Sequence, residues 1–401
     1  MIDQKLQAQL AHAYAASPAM RAWLDEAGVT PEGVRESADW HRIPVFSKDR
    51  AIQLQQAAPP FGGLLAVPLD QVRHIFFSPG PLYEVEAEGD DDTQVRMACE
   101  ALRRSGFGPG DVVLNTLSYH LVPAGLLLDM ALVQVGCTVV PGGVGNSELQ
   151  LKMIADLGVT GYVGTPGFLA QLLDKSADNP PTIAHGGPLR KTFFTGEPLF
   201  APLRARFVGE HGLSVGNGYA TAELGFLALD TEGNLALQLL PEPLIEIVDS
   251  DTGQPVGPGE AGEVVVTSFS RAWPLIRYGT GDMAVNFDPA PGQSRQEQRA
   301  IALVGRCGEA VKVRGMFVHP NQVRFAVMRA TPFQALQGVV TQEGNRDHFL
   351  LRIAGGNPES AELVQTLVQQ LVRVRVDAVE FVESLPAGAP GMVDARRYAT
   401  Q

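Results

Sequence analysis

Between residues 111 and 219 short apolar runs alternate with helix-length segments, and this alternation restricts the fold more than any other feature of the chain. "DVVLNTL" reads as a buried strand, residues 122 to 135 as an apolar helix, and "CTVVPGG" as a second strand. "SELQLKMIADLG" reads as a helix entered through Ser147 as N-cap, with Glu148 in its first turn. "TGYVGT" and "KTFFTG" are strands. "PGFLAQLLDKS" is a helix opening on Pro166, and "PLFAPLRARFVGEHG" a further helix. Continuous apolar strands separated by helices predict a parallel sheet covered on both faces.

After Tyr219 the pattern changes. "PLIEIVDSDTGQPVGPGEAGEVVVTSFS" holds two β runs joined by turn-rich segments, so a more antiparallel β unit follows. "NFDPAPGQSRQEQRA", residues 286 to 300, reads as an exposed loop. From residue 307 a compact α+β unit is expected. It comprises "VKVRG", a helix from His319 or Pro320, strands near "GVVTQ" and "HFLLRIA", a helix from Pro358 to Val372, and the strand "VDAVEFVES". A chain of 401 residues exceeds the usual single core. We therefore expect an α/β protein with a large domain over residues 1–306 and a small α+β domain over 307–401.

Composition excludes several classes. A formal charge of −13 opposes broad contact with nucleic-acid phosphates or an anionic membrane. Cys99, Cys137 and Cys307 are too few and too scattered for a disulfide framework or a Cys-rich zinc site. "LVPAGLLLDMALVQVG" is short and interrupted by Asp129 and Gln134, as suits a core helix rather than a membrane span. "MIDQKLQAQLAHAYAASPAM" has no apolar core of the signal-peptide kind, so the expected compartment is the cytoplasm.

Individually the chemical motifs are ambiguous. "VTGYVGTPGFL" can hold an anion at a helix start, or be a βα turn that needs glycine and proline. "TGEPL" lies at a strand's carboxyl end, where open α/β sheets bind ligands. Glu223 in "GYATAELG" is either functional or a solvated helix-start acid. "IRYGTGDM" and "LVGRCGEAVKVRGMFVHP" can be functional or mere hairpins.

In order, however, these motifs resemble the phenylacetate–CoA ligase group of AMP-forming acid–CoA ligases, within the adenylate-forming superfamily. The resemblance runs from "HRIPVFSKDR" through "GFGPGDVVLNTLSYHLVPAGL", "GEP", "GYATAE" and "PLIRYGTGD" to "GR…VKVRG…P", so it covers most of the chain. It implies ATP/AMP, Mg²⁺ and coenzyme A as cofactors, a small aromatic or medium aliphatic carboxylic acid as substrate, and a homodimer.

The resemblance also implies site residues. Gly196, Glu197 and Pro198 would frame the adenine, Tyr219 would stack on the base, and Ala220 would also belong to the nucleotide site. Asp282 would accept the ribose hydroxyls, since a carboxylate can take both. Arg306 would close the large domain on the nucleotide. Glu223 would hold Mg²⁺, a hard cation that prefers oxygen; Glu223 and Arg306 are thus the implied catalytic residues. Tyr119 and Gly125 would line an acyl pocket opposite Gly218 and Ala220. Lys312, Arg314 and Gly315 would line a coenzyme A tunnel.

Four departures accompany these matches. Where the family carries a Ser/Thr/Gly-rich loop with a lysine to grip the β- and γ-phosphates, this chain has Ser78-Pro79-Gly80-Pro81-Leu82-Tyr83-Glu84. Pro79 and Pro81 lack an N–H, Leu82 lacks a hydroxyl, and Glu84 replaces the cation. Glu86, Glu88 and Asp90 to Asp92 follow, so the segment reads as a solvated acidic loop that repels polyphosphate. The family's C-terminal adenylation lysine is matched by Met392 in "AGAPGMVDARRY". Lys312 is the last lysine in the chain, and Arg396 or Arg397 offers only a guanidinium fork in its place. Ala222 replaces a hydroxyl residue before Glu223, with Thr221 one position off, and Gly308 occupies an acidic hinge position. The expectation is an acid–CoA ligase with impaired adenylation. The alternative is a relative that binds AMP, acyl-adenylate or acyl-CoA, or that performs only the second half-reaction.

Overall fold

The parallel strands form as the alternation requires. Thr138–Pro141, Val112–Asn115, Gly161–Gly164, Lys191–Phe194 and Ser214–Thr221 lie side by side in that order, each pair parallel. Gly225–Asp230 and then Leu237–Leu239 extend the sheet antiparallel. The adjacent pair Phe193 and Phe194 demonstrates the double covering. Successive strand side chains point to opposite faces. Phe193 accordingly joins a core with Met97, Leu102, Leu128 and Phe226, and Phe194 joins one with Ile154, Leu172 and Phe207. Each buried phenylalanine contributes roughly 1.5–3 kcal/mol.

This computed structural model describes residues 3–78, 82–87, 93–178, 183–184, 186–234, 236–314, 316–343, 346–386 and 388–396. Two compact units emerge: Met1–Ile245 with Val266–Tyr278 and Arg295–Ala300, and Glu246–Val265 with Gly279–Ser294 and Ile301–Gln401. The first carries the parallel sheet. The second carries most of Leu244–Val248, Ala261–Thr267, Tyr278–Phe287 and Ala300–Arg306, neighbours in that order. It also holds a four-stranded sheet ordered Ala378–Val382, Arg346–Ala354, Ala335–Glu343, Met392–Asp394. Helices Pro320–Met328 and Ala361–Leu371 share one apolar core with that sheet.

Three details differ from expectation. Helix Ser147–Leu157 is entered through Asn146, whose φ of 51° places it in the left-handed region that asparagine tolerates. Ser147 is thus the first helical residue, and its hydroxyl accepts from Lys175 Nζ at 2.6 Å. "PLFAPLRARFVGEHG" forms only a short helix, Ala201–Ala205, followed by the π turn Arg206–Glu210. The third is the strand Met392–Asp394, which no sequence pattern announced. Among the described residues no helix is long and apolar enough to cross a membrane, and none of Cys99, Cys137 and Cys307 is in a disulfide.

Candidate functional site

The acidic segment is not wholly a solvated loop. Val72–Ser78 and Leu82–Ala87 pair as an antiparallel hairpin in which Phe76 faces Glu84 and His74 faces Glu86. Pro79 to Pro81, Glu88 and Asp90 to Asp92 lie outside the described residues. Period-two alternation puts Leu82 and Glu84 on one face and Tyr83 on the other. Glu84 is only 4% exposed, whereas Tyr83 is 40% exposed. The expectation of a solvated acid at position 84 is therefore corrected. The cause is a long-range clamp. The buried amide of Gln55 donates to the Tyr83 carbonyl and accepts from the Tyr83 N–H, both at 2.8 Å, as a neighbouring strand would.

Gln55 belongs to helix Lys48–Ala57, which Ser47 caps by accepting from the Arg50 N–H at 3.2 Å. The same helix delivers Lys48, whose Nζ lies 2.7 Å from Glu223 Oε1. The Tyr278 hydroxyl donates to that oxygen at 3.2 Å. Glu223 occupies the turn between Ser214–Thr221 and Gly225–Asp230, and its carbonyl accepts from Gln94 Nε2 at 3.2 Å. Burial pushes the Glu223 carboxyl up, but the Lys48 ammonium, together with the Glu223 backbone N–H and the Thr221 hydroxyl, holds the group below the usual carboxylate range. Glu84 goes the other way. Burial, reinforced by the Glu223 charge, pushes its carboxyl up to about 8, with the Ser78 hydroxyl and Lys48 opposing only in part. Neither Glu84 oxygen has a hydrogen-bond partner. One carboxyl is thus ionised and paired, and its neighbour is a neutral acid at pH 7.

These residues do not fit Mg²⁺. An ammonium already sits on the Glu223 carboxylate, where a divalent cation would meet like charge. Among the described residues no group of three or more His, Cys, Asp or Glu could hold a metal ion.

The other expected residues are placed as follows. Gly196, Glu197 and Pro198 are exposed just beyond strand Lys191–Phe194. The Glu197 carboxylate accepts the Gly167 N–H at 3.2 Å, so it supplies the anion at the start of helix Pro166–Asp178. Tyr219 is buried, and a strand irregularity separates it from Ala220. In the second unit Asp282 pairs with Arg306. Glu263 Oε1 accepts the Gly281 N–H at 3.0 Å. Burial, then the Asp282 charge, raises the Glu263 carboxyl.

The residues expected at the acyl pocket have structural duties. The Tyr119 hydroxyl donates to Asp129 Oδ2 at 2.7 Å and accepts from Asn115 Nδ2 at 2.9 Å. Burial and then Asp129 raise its pKa. A methyl at Gly125 would lie 2.4 Å from the Ser118 carbonyl oxygen, and one at Gly218 would lie 2.8 Å from Phe193 and 2.9 Å from Phe226. Both glycines permit close approach. A cavity of about 80 Å³ lies nearby, walled by Phe76, Glu84, Leu127, Met130, Glu223 and Trp273 among others.

In the small domain Met392 is 7% exposed and packs in the core beside Gly338 and Phe349. Its place in strand Met392–Asp394, parallel to Ala335–Glu343, turns it inward. Arg396, one of two arginines offered as a substitute cation, bonds to Asp394 and to both oxygens of Asp347. Arg397 and Gly315 lie outside the described residues. Arg314 is bound to the carbonyls of Arg375 and Asp347 and to the Asp377 carboxylate. Lys312 lies in the strand Val311–Val313. Sequence reasoning missed Lys48 and Tyr278, although both stand in quoted motifs, "HRIPVFSKDR" and "PLIRYGTGD". Neither has a local signal, because each acts on a turn distant in sequence.

A family model of AMP-binding enzymes matches residues 93–270. The phenylacetate-coenzyme A ligase of Thermus thermophilus is 30% identical over 384 residues, covering 92% of this chain and 84% of its own. That of Escherichia coli is 28% identical over 365 residues, covering 87% and 80%. An open conformation of 2-hydroxyisobutyryl-CoA ligase, crystallised with 2-HIB-AMP and CoA, shares the fold with a TM-score of 0.83 at 21% identity, over 97% of this chain and 90% of that one.

Proposed function

Because the chain belongs to the phenylacetate–CoA ligase family, we propose that it is an AMP-forming acid–CoA ligase whose adenylation step is greatly slowed. The observation that carries this reading is the interior position of Met392, where the resemblance expects the adenylation lysine. A lysine acting at the α-phosphate must project from the surface, and this position points into a core. The nearest described arginine, Arg396, is committed to two carboxylates. The second support is Glu84, a buried acid where the phosphate loop would offer an ammonium.

Each missing cation corresponds to roughly 2.7–4 kcal/mol by analogy with loss of one oxyanion donor, so their joint loss slows the step about 10⁴-fold or more. In this reading Gly196, Glu197, Pro198, Tyr219 and Ala220 serve the adenine, Asp282 the ribose and Arg306 the phosphate. Residues 307–401 act as a mobile domain, with Lys312, Arg314 and Gly315 toward coenzyme A. Bound ATP would supply the α-phosphate as electrophile with pyrophosphate as leaving group, and AMP would leave when the thiol attacks the acyl-adenylate. Glu223 orients Lys48 rather than a metal ion.

A second reading is favoured by the same Met392: the chain retains only transfer from a supplied acyl-adenylate to a thiol. The experiment separates the two. Carboxylate-dependent pyrophosphate release is measured over a panel of aromatic and medium aliphatic acids, beside thioester formation from synthetic acyl-adenylates and coenzyme A. Slow but acid-dependent pyrophosphate release supports the ligase. Thioester formation without any pyrophosphate release supports the second reading. Turnover at the rate of an intact relative, or background rates in both assays, refutes the proposal.

A further inference from the structure

The cavity beside Glu84 lies in the first unit and raises a question that acid activation does not answer. Two carboxyls, Glu84 and Glu223, approach one ammonium, Lys48, and the ammonium contacts Glu223. The next acid along the hairpin, Glu86, is hydrogen-bonded to His74 at 2.9 Å. Glu84 is left with two buried oxygens that make no hydrogen bond within 3.5 Å, the Ser78 hydroxyl near it compensating only in part, an arrangement that native interiors rarely tolerate. The surrounding wall is mixed: Phe76 directly across the hairpin, Leu126, Leu127 and Met130 from helix Ala124–Gln134, and Trp273 form its apolar part, and Glu86, Thr93, Gln94, Glu223, Ser268 and Ser270 its polar part. The indole Nε1 of Trp273 is also buried without a partner. About 80 Å³ is available; at roughly 10–15 Å³ per water-sized group this admits about six heavy atoms.

We propose that this cavity binds a small apolar primary amine, its ammonium held by the Glu84 carboxylate and its hydrocarbon tail against Phe76, Leu127 and Met130. The groups around Glu84 support that chemistry. Lys48 is satisfied by Glu223, Tyr278 donates to Glu223, and Ser78 offers only a hydroxyl. An anion entering here would find no free cation among the described residues of the wall, since Lys48 is taken by Glu223, and of the two carboxyls could use only the proton of the Glu84 acid. A neutral alcohol could satisfy one Glu84 oxygen, whereas an ammonium satisfies both and compensates the charge. Because Glu84 is neutral before binding, capture of the cation ionises it: the carboxylic acid and the ammonium form the carboxylate–ammonium pair, and one proton passes to solvent. The site does not depend on adenylation, so its test needs no nucleotide.

The experiment is calorimetric titration of the full chain at pH 7 with n-pentylamine, 1-pentanol and pentanoate, in two buffers of different ionisation heat. The expected result is at least ten-fold tighter binding of the amine than of the alcohol, with release of close to one proton per amine and no binding of pentanoate. E84Q should bind amine and alcohol alike and release no proton. Equal affinities in the unmodified protein, absence of proton release, preference for pentanoate, or no binding of any probe up to its solubility limit would each overturn the proposal. The comparison among ligands on the unmodified chain stands even if E84Q folds poorly.

Discussion

Replacing Glu84 by glutamine should make the protein more stable at neutral pH, and the gain should depend on pH. The Glu84 carboxyl is raised from an ordinary value of 4.5 to about 8 because it is buried beside Glu223. The folded state therefore holds a proton that the unfolded chain releases between these values. Stability is fully present below about pH 4.5 and is lost as pH rises through about 8. At about 1.36 kcal/mol per pH unit, the loss reaches about 3 kcal/mol at pH 7 and about 5 kcal/mol above pH 8. Glutamine has nearly the same shape and no proton to take up. E84Q should thus match the parent near pH 4.5 and exceed it by about 3 kcal/mol at pH 7, or roughly 6 °C in the melting of a body this size. Glu223 has the opposite sign, since its lowered carboxyl stabilises above its unfolded pKa and loses that effect only as pH falls. It therefore contributes no slope between pH 5 and 8. Urea unfolding of both proteins at half-unit pH steps is the assay. Parallel curves for the two, or an E84Q less stable than the parent at pH 8, would refute the burial argument.

Three further outcomes test neighbouring parts of the structure. K48M leaves Glu223 buried without its ammonium, and urea unfolding should show a loss near the low end of the 3–5 kcal/mol seen when one partner of a buried pair is removed, about 3 kcal/mol; a change below about 0.5 kcal/mol would mean the pair is effectively solvated. M392K should destabilise the small domain by at least 3 kcal/mol, on the order of the cost of burying an unpaired charge, without restoring pyrophosphate release; restored release would show that position 392 can face the nucleotide. G218A pushes a methyl against Phe193 and Phe226 and should cost about 1–3 kcal/mol in urea unfolding, whereas an unchanged midpoint would mean that these rings yield freely.

Much of this protein is legible along the chain because its signals are local. Short apolar runs between helices specify the four parallel strands from Val112 to Phe194, and a proline at the first helical position marks the start of Pro166–Asp178. The absence of any lysine after Lys312 needs no coordinates at all. What remained hidden are facts about which face of an element meets which distant partner. Alternation says that Glu84 and Tyr83 point apart. Only the docking of Gln55 on Tyr83 decides that Glu84 is the one buried. A lysine at the start of a helix looks solvated until the turn bearing Glu223 folds against it. Met392 could have sat in a mobile tail, and strand pairing with Gly338 turns it into the core. Periodicity is written in neighbouring residues, whereas burial, and with it the charge state of a carboxyl, depends on surfaces that meet only when the chain closes on itself.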